Sequence, residues 1–357
     1  MKALRFTLPF AFLGSAPLCF VLGGAWAWLT LAVTPLALCT FDLALGFEAE
    51  AEAAPGALRY RLLPYLYIVL QVALTAWAAA TIARPGVDLI AAVGLTLSVG
   101  INAGIFGILA AHEMVHSPLP AERALGLVLL AGVGYMHFRI AHIHGHHVRA
   151  ATPADPASAR RGEGAYRFIL RSVAGQLREA WTFEAARLRR GGRRVFGPAN
   201  RMLFYFALEG LLAAAVAAFS LRALAFWVAQ AVLAVAMLEM FNYIAHYGLA
   251  RRRLPGGGLE RLADRHSWNS SRRMNNWSLF NMGRHSDHHR RPTAAYQRLE
   301  IEADAPELPT GYAGAILLAL NPPLWRRVMD PRVDAWMGVP SMGVPSMGAP
   351  GTGAHER

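Results

Sequence analysis

Nine of the 13 histidines in this chain fall into groups whose spacing suits metal ligation. His112 and His116 stand four apart, so on a helix both rings leave from one face. His142 and His146 are again four apart, and His147 follows at once. His246 stands alone in Asn242-Tyr243-Ile244-Ala245-His246-Tyr247-Gly248-Leu249, and His285, His288 and His289 complete the set. Neutral imidazole suits iron, copper, nickel and zinc. Such ions take no more than about six ligands, so nine histidines imply two metals. A lone histidine is more often a cap or an interfacial residue, and His137, His144, His266 and His355 are read that way. Nine together do not fit that account, because ionisable groups at membrane depth are costly and are usually functional.

Two other chemistries compete. His112-Glu113-Met114-Val115-His116 matches the zinc-protease pattern H-E-x-x-H, with Glu113 as general base. That enzyme needs one further ligand and leaves most of the histidines without a task. A metal transporter or store would use histidines to pass ions along.

The elements that position these residues are membrane spans. With 55% hydrophobic and 16% charged residues, the chain is too apolar for two soluble domains. Crossing the hydrocarbon takes about 20 apolar residues. Stretches 6–24 and 26–41, 62–83 and 87–111, and 202–219 and 222–245 pair into three hairpins. A seventh apolar stretch, 123–140, separates His112 and His116 from His142, His146 and His147; if it crossed, they could not share a site. It is therefore expected to dip in and return, as Gly126, Gly132 and Gly134 permit. The fold class is all-α: an integral membrane bundle of six transmembrane helices under a histidine-rich cap formed by 141–201 and 247–330.

The net charge of +12 rests on arginines gathered in 141–201 and 247–300, which by the positive-inside rule makes the histidine face and both termini cytoplasmic. Without interleaved aromatic platforms these basic stretches do not suggest a nucleic-acid partner; some would meet membrane lipid headgroups. The two cysteines, Cys19 and Cys39, lie in apolar spans with no C-x-x-C pair, so no iron–sulfur or rubredoxin module is expected in the chain. The membrane enzyme domain is placed at 1–330 and a disordered tail at 331–357, where Gly-Val-Pro-Ser-Met occurs twice.

The motif order H-E-x-x-H, H-x-x-G-H-H, N-Y-x-x-H-Y-G-L and R-H-S-D-H-H, the last followed by Pro292-Thr293 and Tyr296-Gln297, resembles the membrane-bound alkane hydroxylases and the related xylene monooxygenase. The resemblance runs over about 30–300, and the last two motifs separate this group from the fatty-acid desaturases. It implies a di-iron centre held by His112, His116, His142, His146, His147, His246, His285, His288 and His289. It also implies O₂ as co-substrate, electrons from a rubredoxin or ferredoxin with its reductase, and hydroxylation of a terminal alkane carbon or an alkylbenzene methyl group in a bacterial inner membrane. Ala141 and Ala245 stand where that pattern usually has glutamate, which removes two carboxylates that would orient ligand rings. Asp155 and Asp287, with Glu113, are the candidates to support ligands from behind.

Overall fold

The structure, a computed structural model, describes residues 2–48, 58–301 and 304–338. Regular structure among these residues is helical, with isolated β-bridges such as Phe47 to Arg272. Among the described residues six helices are long and apolar enough to cross a bilayer: Ala3–Val21, Gly24–Leu45, Leu58–Ala83, Leu89–Val115, Arg201–Phe219 and Leu221–His246. They coincide with the six expected stretches. The chain is an integral membrane protein.

The first two spans contain α1 (Leu8–Val21) and α2 (Leu29–Leu45), and the third is α3 (Leu58–Ala83). The fourth is composite: α4 (Leu89–Asn102) passes through a π-helical turn, Ala103–Gly107, into α5 (Ile108–His116). It delivers His112 and His116 at its C-terminal end. Gly100 and Gly104, four apart, face a later span that also carries a histidine. A Cβ on Gly104 would lie 2.6 Å from the Ala234 carbonyl oxygen, and one on Gly100 would lie 3.0 Å from that of Gln230. Only glycine lets the two backbones approach so closely, the small-x-x-x-small device of membrane helix pairs.

Stretch 123–140 does return. Helix α6 (Pro120–Gly132), opened by a proline at its first position, runs back along α5 with Gly126 against Ala111. The chain then turns over 133–137, where Gly134 takes a φ of +62°, and re-enters as α7 (Phe138–Ala141). Such a turn inside the bundle must have its polar groups satisfied. Glu209 accepts from the Met136 amide at 2.8 Å, Glu239 from the Tyr135 hydroxyl at 3.1 Å, and the Gly132 carbonyl from Gln230 at 2.9 Å. Probes of sidedness placed near Glu122 and near Arg149 are therefore expected to report one face of the membrane; opposite faces would refute the hairpin.

Above the bundle, α8 (His147–Arg149) leads to the amphipathic α9 (Ala165–Arg190), which packs on α7 and on α11 (Leu221–His246). Between them runs α10 (Arg201–Phe219). The buried Glu184 carboxylate fastens α9 to α10, accepting from Arg187 at 2.6 Å and from Arg201 at 2.6 Å. Burial raises the Glu184 pKa, but these hydrogen bonds win and take it from its ordinary 4.5 to about 2. A folded value below the unfolded one means the clamp is fully stabilising above the unfolded value and fades as pH falls toward 2. Glu184→Ala is expected to destabilise by about 1 kcal/mol at neutral pH, since two partly exposed arginines lose the acceptor they share. Its unfolding midpoint should converge with that of the parent protein as pH is lowered through this window.

The remaining cap comprises α12 (Arg273–Ser278), α13 (His285–Arg290), α14 (Tyr312–Ala319) and α15 (Pro322–Met337). The expected boundary at 330 falls inside α15, whose Trp325, Met329 and Val333 are buried, so ordered structure continues past it. Residues 339–357, with His355, lie outside the described residues.

Candidate metal centre

The nine clustered histidines sort into two groups. His112, His116, His142, His147 and His288 form one, His146, His246, His285 and His289 the other, and within each group the ring nitrogens lie within 4.8 Å of one another. In the first, the Nε2 atoms of His112 and His142 are 2.7 Å apart, those of His142 and His116 are 3.0 Å apart, and those of His147 and His116 are 3.2 Å apart. In the second, Nε2 of His246 lies 3.1 Å from that of His285 and 3.2 Å from that of His289. A cation about 2.1 Å from each imidazole nitrogen places neighbouring nitrogens about 3 Å apart, so this spacing fits a coordination shell. The groups adjoin, with the His147 and His289 rings 4.7 Å apart. Among the described residues neither group includes a carboxylate.

The sorting follows from local helix geometry. His142 to His146 form a second π-helical turn. A π turn brings residues five apart into line. His142 and His147 therefore point into the first group, and His146, swung off that line, points into the second. On α13, His285 and His289 are four apart and share the second group, while His288 faces the first.

Support from behind the rings is uneven. Asp155 Oδ2 accepts from His146 Nδ1 at 2.9 Å and from the Ser158 hydroxyl at 2.6 Å, while its Oδ1 accepts from the Ala157 amide at 3.0 Å. Burial pushes the Asp155 carboxyl upward, yet the His146 ring and these hydrogen bonds hold it below its ordinary value. His246 Nδ1 donates to the His266 carbonyl at 3.2 Å. The Nδ1 atoms of His112, His147, His285 and His289 are buried and find no hydrogen-bond partner among the described residues. Ala141 and Ala245, both buried, supply none.

Two candidates act elsewhere. Asp287 meets no histidine: it accepts from Arg290 at 2.8 Å, from Arg291 Nε at 2.8 Å and from the Glu300 amide at 2.7 Å, anchoring the chain that follows α13. Arginine charge reaches it before any imidazole does. Glu113 accepts from the Tyr296 amide at 3.0 Å and ties α5 to that chain. His112 and His116 share their group with three further histidines, where a zinc protease would need one further ligand. His137, His144 and His266 belong to neither group: His137 packs on Tyr135 with ring centroids 4.4 Å apart, His144 is exposed, and His266 bonds Glu260 at 2.9 Å. Sequence reasoning passed over Asp42, Glu209 and Glu239, although an acidic residue inside an apolar span is itself a signal.

An apolar cavity of about 250 Å³ lies beside the second group, between α2, α4–α5, α11 and α14. Its wall includes Leu31, Ile101, Leu109 and Phe241, and the Phe241 ring stands 5.5 Å from His285. A second cleft, of about 340 Å³ and more polar, ends on His116 between Arg61, Glu113, Glu122 and 292–297.

Comparison with known proteins agrees with this architecture. Residues 88–315 match the fatty acid desaturase family, and alkane 1-monooxygenase 2 of Pseudomonas aeruginosa is 37% identical over 87% of this chain and 85% of its own length. The chain belongs to the alkane monooxygenase group of that family. Alkane 1-monooxygenase 1 of the same organism is 44% identical over 68% of this chain, a match spanning 64% of that relative. The xylene/toluene monooxygenase hydroxylase component XylM of Pseudomonas putida is 28% identical over 89% of this chain and 85% of its own length. The alkane monooxygenases are thus nearer than the xylene enzyme, and this member of their group is an oxidoreductase. Within its site, Asp155→Asn is expected to weaken metal retention about 10–100-fold, the usual cost of losing a ligand's supporting carboxylate. Metal content after dialysis against graded chelator would show it; unchanged retention would mean that Asp155 only shapes its loop.

Proposed function

We propose that this protein is a membrane-bound di-iron monooxygenase that hydroxylates the terminal carbon of a linear alkane. The observation that carries the reading is the pair of adjoining all-histidine groups beside an apolar cavity, whose wall residue Phe241 stands 5.5 Å from His285. His112, His116, His142, His147 and His288 would hold one iron and His146, His246, His285 and His289 the other. When bound, the metals supply activation of O₂ and insertion of one of its atoms into an unactivated C–H bond. The protein's residues do the positioning. Leu31, Ile101, Leu109 and Phe241 wall an aliphatic slot that excludes water and aligns a chain end toward His285. Asp155 holds His146 in the tautomer that turns Nε2 inward. The polar cleft at His116 offers a separate approach from the aqueous side.

The histidine face would be the cytoplasmic face of a bacterial inner membrane, with electrons from a rubredoxin or ferredoxin and its reductase. The arginine bias supports that orientation. The test is to supply membranes from an expressing host with a linear alkane, an alkylbenzene and a fatty-acyl substrate. A primary alkanol as main product is expected. Preference for the benzylic alcohol would move the enzyme to the xylene type, and a double bond would move it to the desaturases.

A further inference from the structure

The cavity beside the second histidine group is aliphatic over most of its wall, as a hydrocarbon site requires. Asp42, in the last turn of α2, breaks that pattern: it lines the cavity and is 4% exposed. Its Oδ1 accepts from the Asn275 amide at 2.9 Å and so caps α12. No hydrogen-bond donor among the described residues reaches Oδ2, which packs on Gly311. Two turns back on the same face of α2, Thr34 lines the same cavity, 1% exposed, with its Oγ1 lacking a hydrogen-bond partner among the described residues. An alkane can satisfy neither group, whereas a ligand that carries a hydroxyl can donate to a carboxyl oxygen.

We propose that the Asp42 carboxyl is a hydroxyl-binding subsite, and that the cavity takes a medium-chain primary alcohol as a ligand in its own right. The fold sets its direction. Asp42 is bonded to α12 and shares the cavity wall with Phe241, whose ring stands 5.5 Å from His285, while Leu31 lies about 16 Å back along the α2 axis at about 1.5 Å per residue. The hydroxyl end therefore lies at the histidine end of the slot and the tail runs toward Leu31 and Ile101. This is the pose of an alcohol just formed and not yet released. It deepens the hydroxylase reading but needs only the cavity, so metal and turnover do not enter its test.

The experiment uses the full chain in lipid nanodiscs and two photo-probes of equal length: a primary alcohol with a diazirine at its far end, and the corresponding alkane with the same diazirine. Labelled peptides are mapped by mass spectrometry. The alcohol probe is expected to mark the wall at Leu31 and Ile101; the alkane probe, free to lie either way, is expected to mark that wall and the one at Phe241 and Leu279. In Asp42→Leu, alcohol labelling should fall about fivefold, the worth of one buried hydrogen bond, with alkane labelling unchanged. Because that change also uncaps α12, Asp42→Asn, which keeps an oxygen for the Asn275 amide, is measured beside it and should show a smaller fall in the same direction. Identical labelling patterns for the two probes in the parent protein would overturn the proposal, as would undiminished alcohol labelling in both variants. A protein that fails here yet hydroxylates alkanes loses only the subsite; one that passes here yet hydroxylates nothing loses only the reaction.

Discussion

Alanine at any of the nine clustered histidines is expected to lower hydroxylation by more than about a hundredfold, beyond the usual loss when only a supporting partner is removed. The loss of metal should not be uniform. The second group has four members, and each substitution among His146, His246, His285 and His289 leaves three nitrogens for its ion. The first has five, so removal of His112, His116, His142, His147 or His288 leaves four, still a complete tetrahedral set. Iron analysis of purified variants should therefore show about one ion lost per chain for the second group and partial retention for the first. Substitution of His137 or His144, which join neither group, should leave most activity. One zinc and no iron in the parent protein would defeat the di-iron reading outright.

Purified protein given NADH alone is expected to show no turnover, and to become active when an acidic rubredoxin or ferredoxin and its reductase are added. The two cysteines cannot hold an electron-transfer iron, since Cys19 is buried in α1 and Cys39 lies in α2. An acidic carrier has a basic surface to meet. Arg189, Arg190, Arg193 and Arg194 are exposed around the end of α9, whereas Arg187 is committed to Glu184 and Arg272 to the Asp42 carbonyl and the Phe47 ring. Docking of this kind is screened over about 8 Å at physiological ionic strength, so the rate should fall as salt is raised. Activity with NADH and no carrier would remove the need for a partner, and a rate indifferent to salt would remove electrostatic docking.

The six spans and the clustering of nine histidines were legible because each depends on residue type and count: about 20 apolar residues cross a bilayer, and imidazoles in such number at ligand spacing are costly at membrane depth unless they gather. The return of 123–140 was legible by convergence, since His112 and His142 cannot meet otherwise. The division of the histidines between two groups was not. Four-residue spacing suggests a shared face for His142 and His146, and only the π-helical turn, which no residue type announces, sends them apart. Asp287 looked equivalent to Asp155 beside a histidine cluster, yet Arg290 on its own helix and Arg291 just past the helix end claim it. The roles of Glu209 and Glu239 were hidden for a different reason: their partners, Met136 and Tyr135, are distant in sequence and belong to a turn that exists only once the bundle has formed.

The contact at Gly100 and Gly104 has a mechanical meaning. It presses the composite span that ends in His112 and His116 against α11, which ends in His246, with backbone touching backbone. One histidine group thus hangs partly from one member of the pair and the other group partly from the second. Long side chains between those helices would act as springs with several rest lengths, and the gap between the groups would wander as rotamers changed. With glycine there, the pair behaves as a single stiff strut, and the separation of the two groups is gauged by peptide units whose dimensions hardly vary.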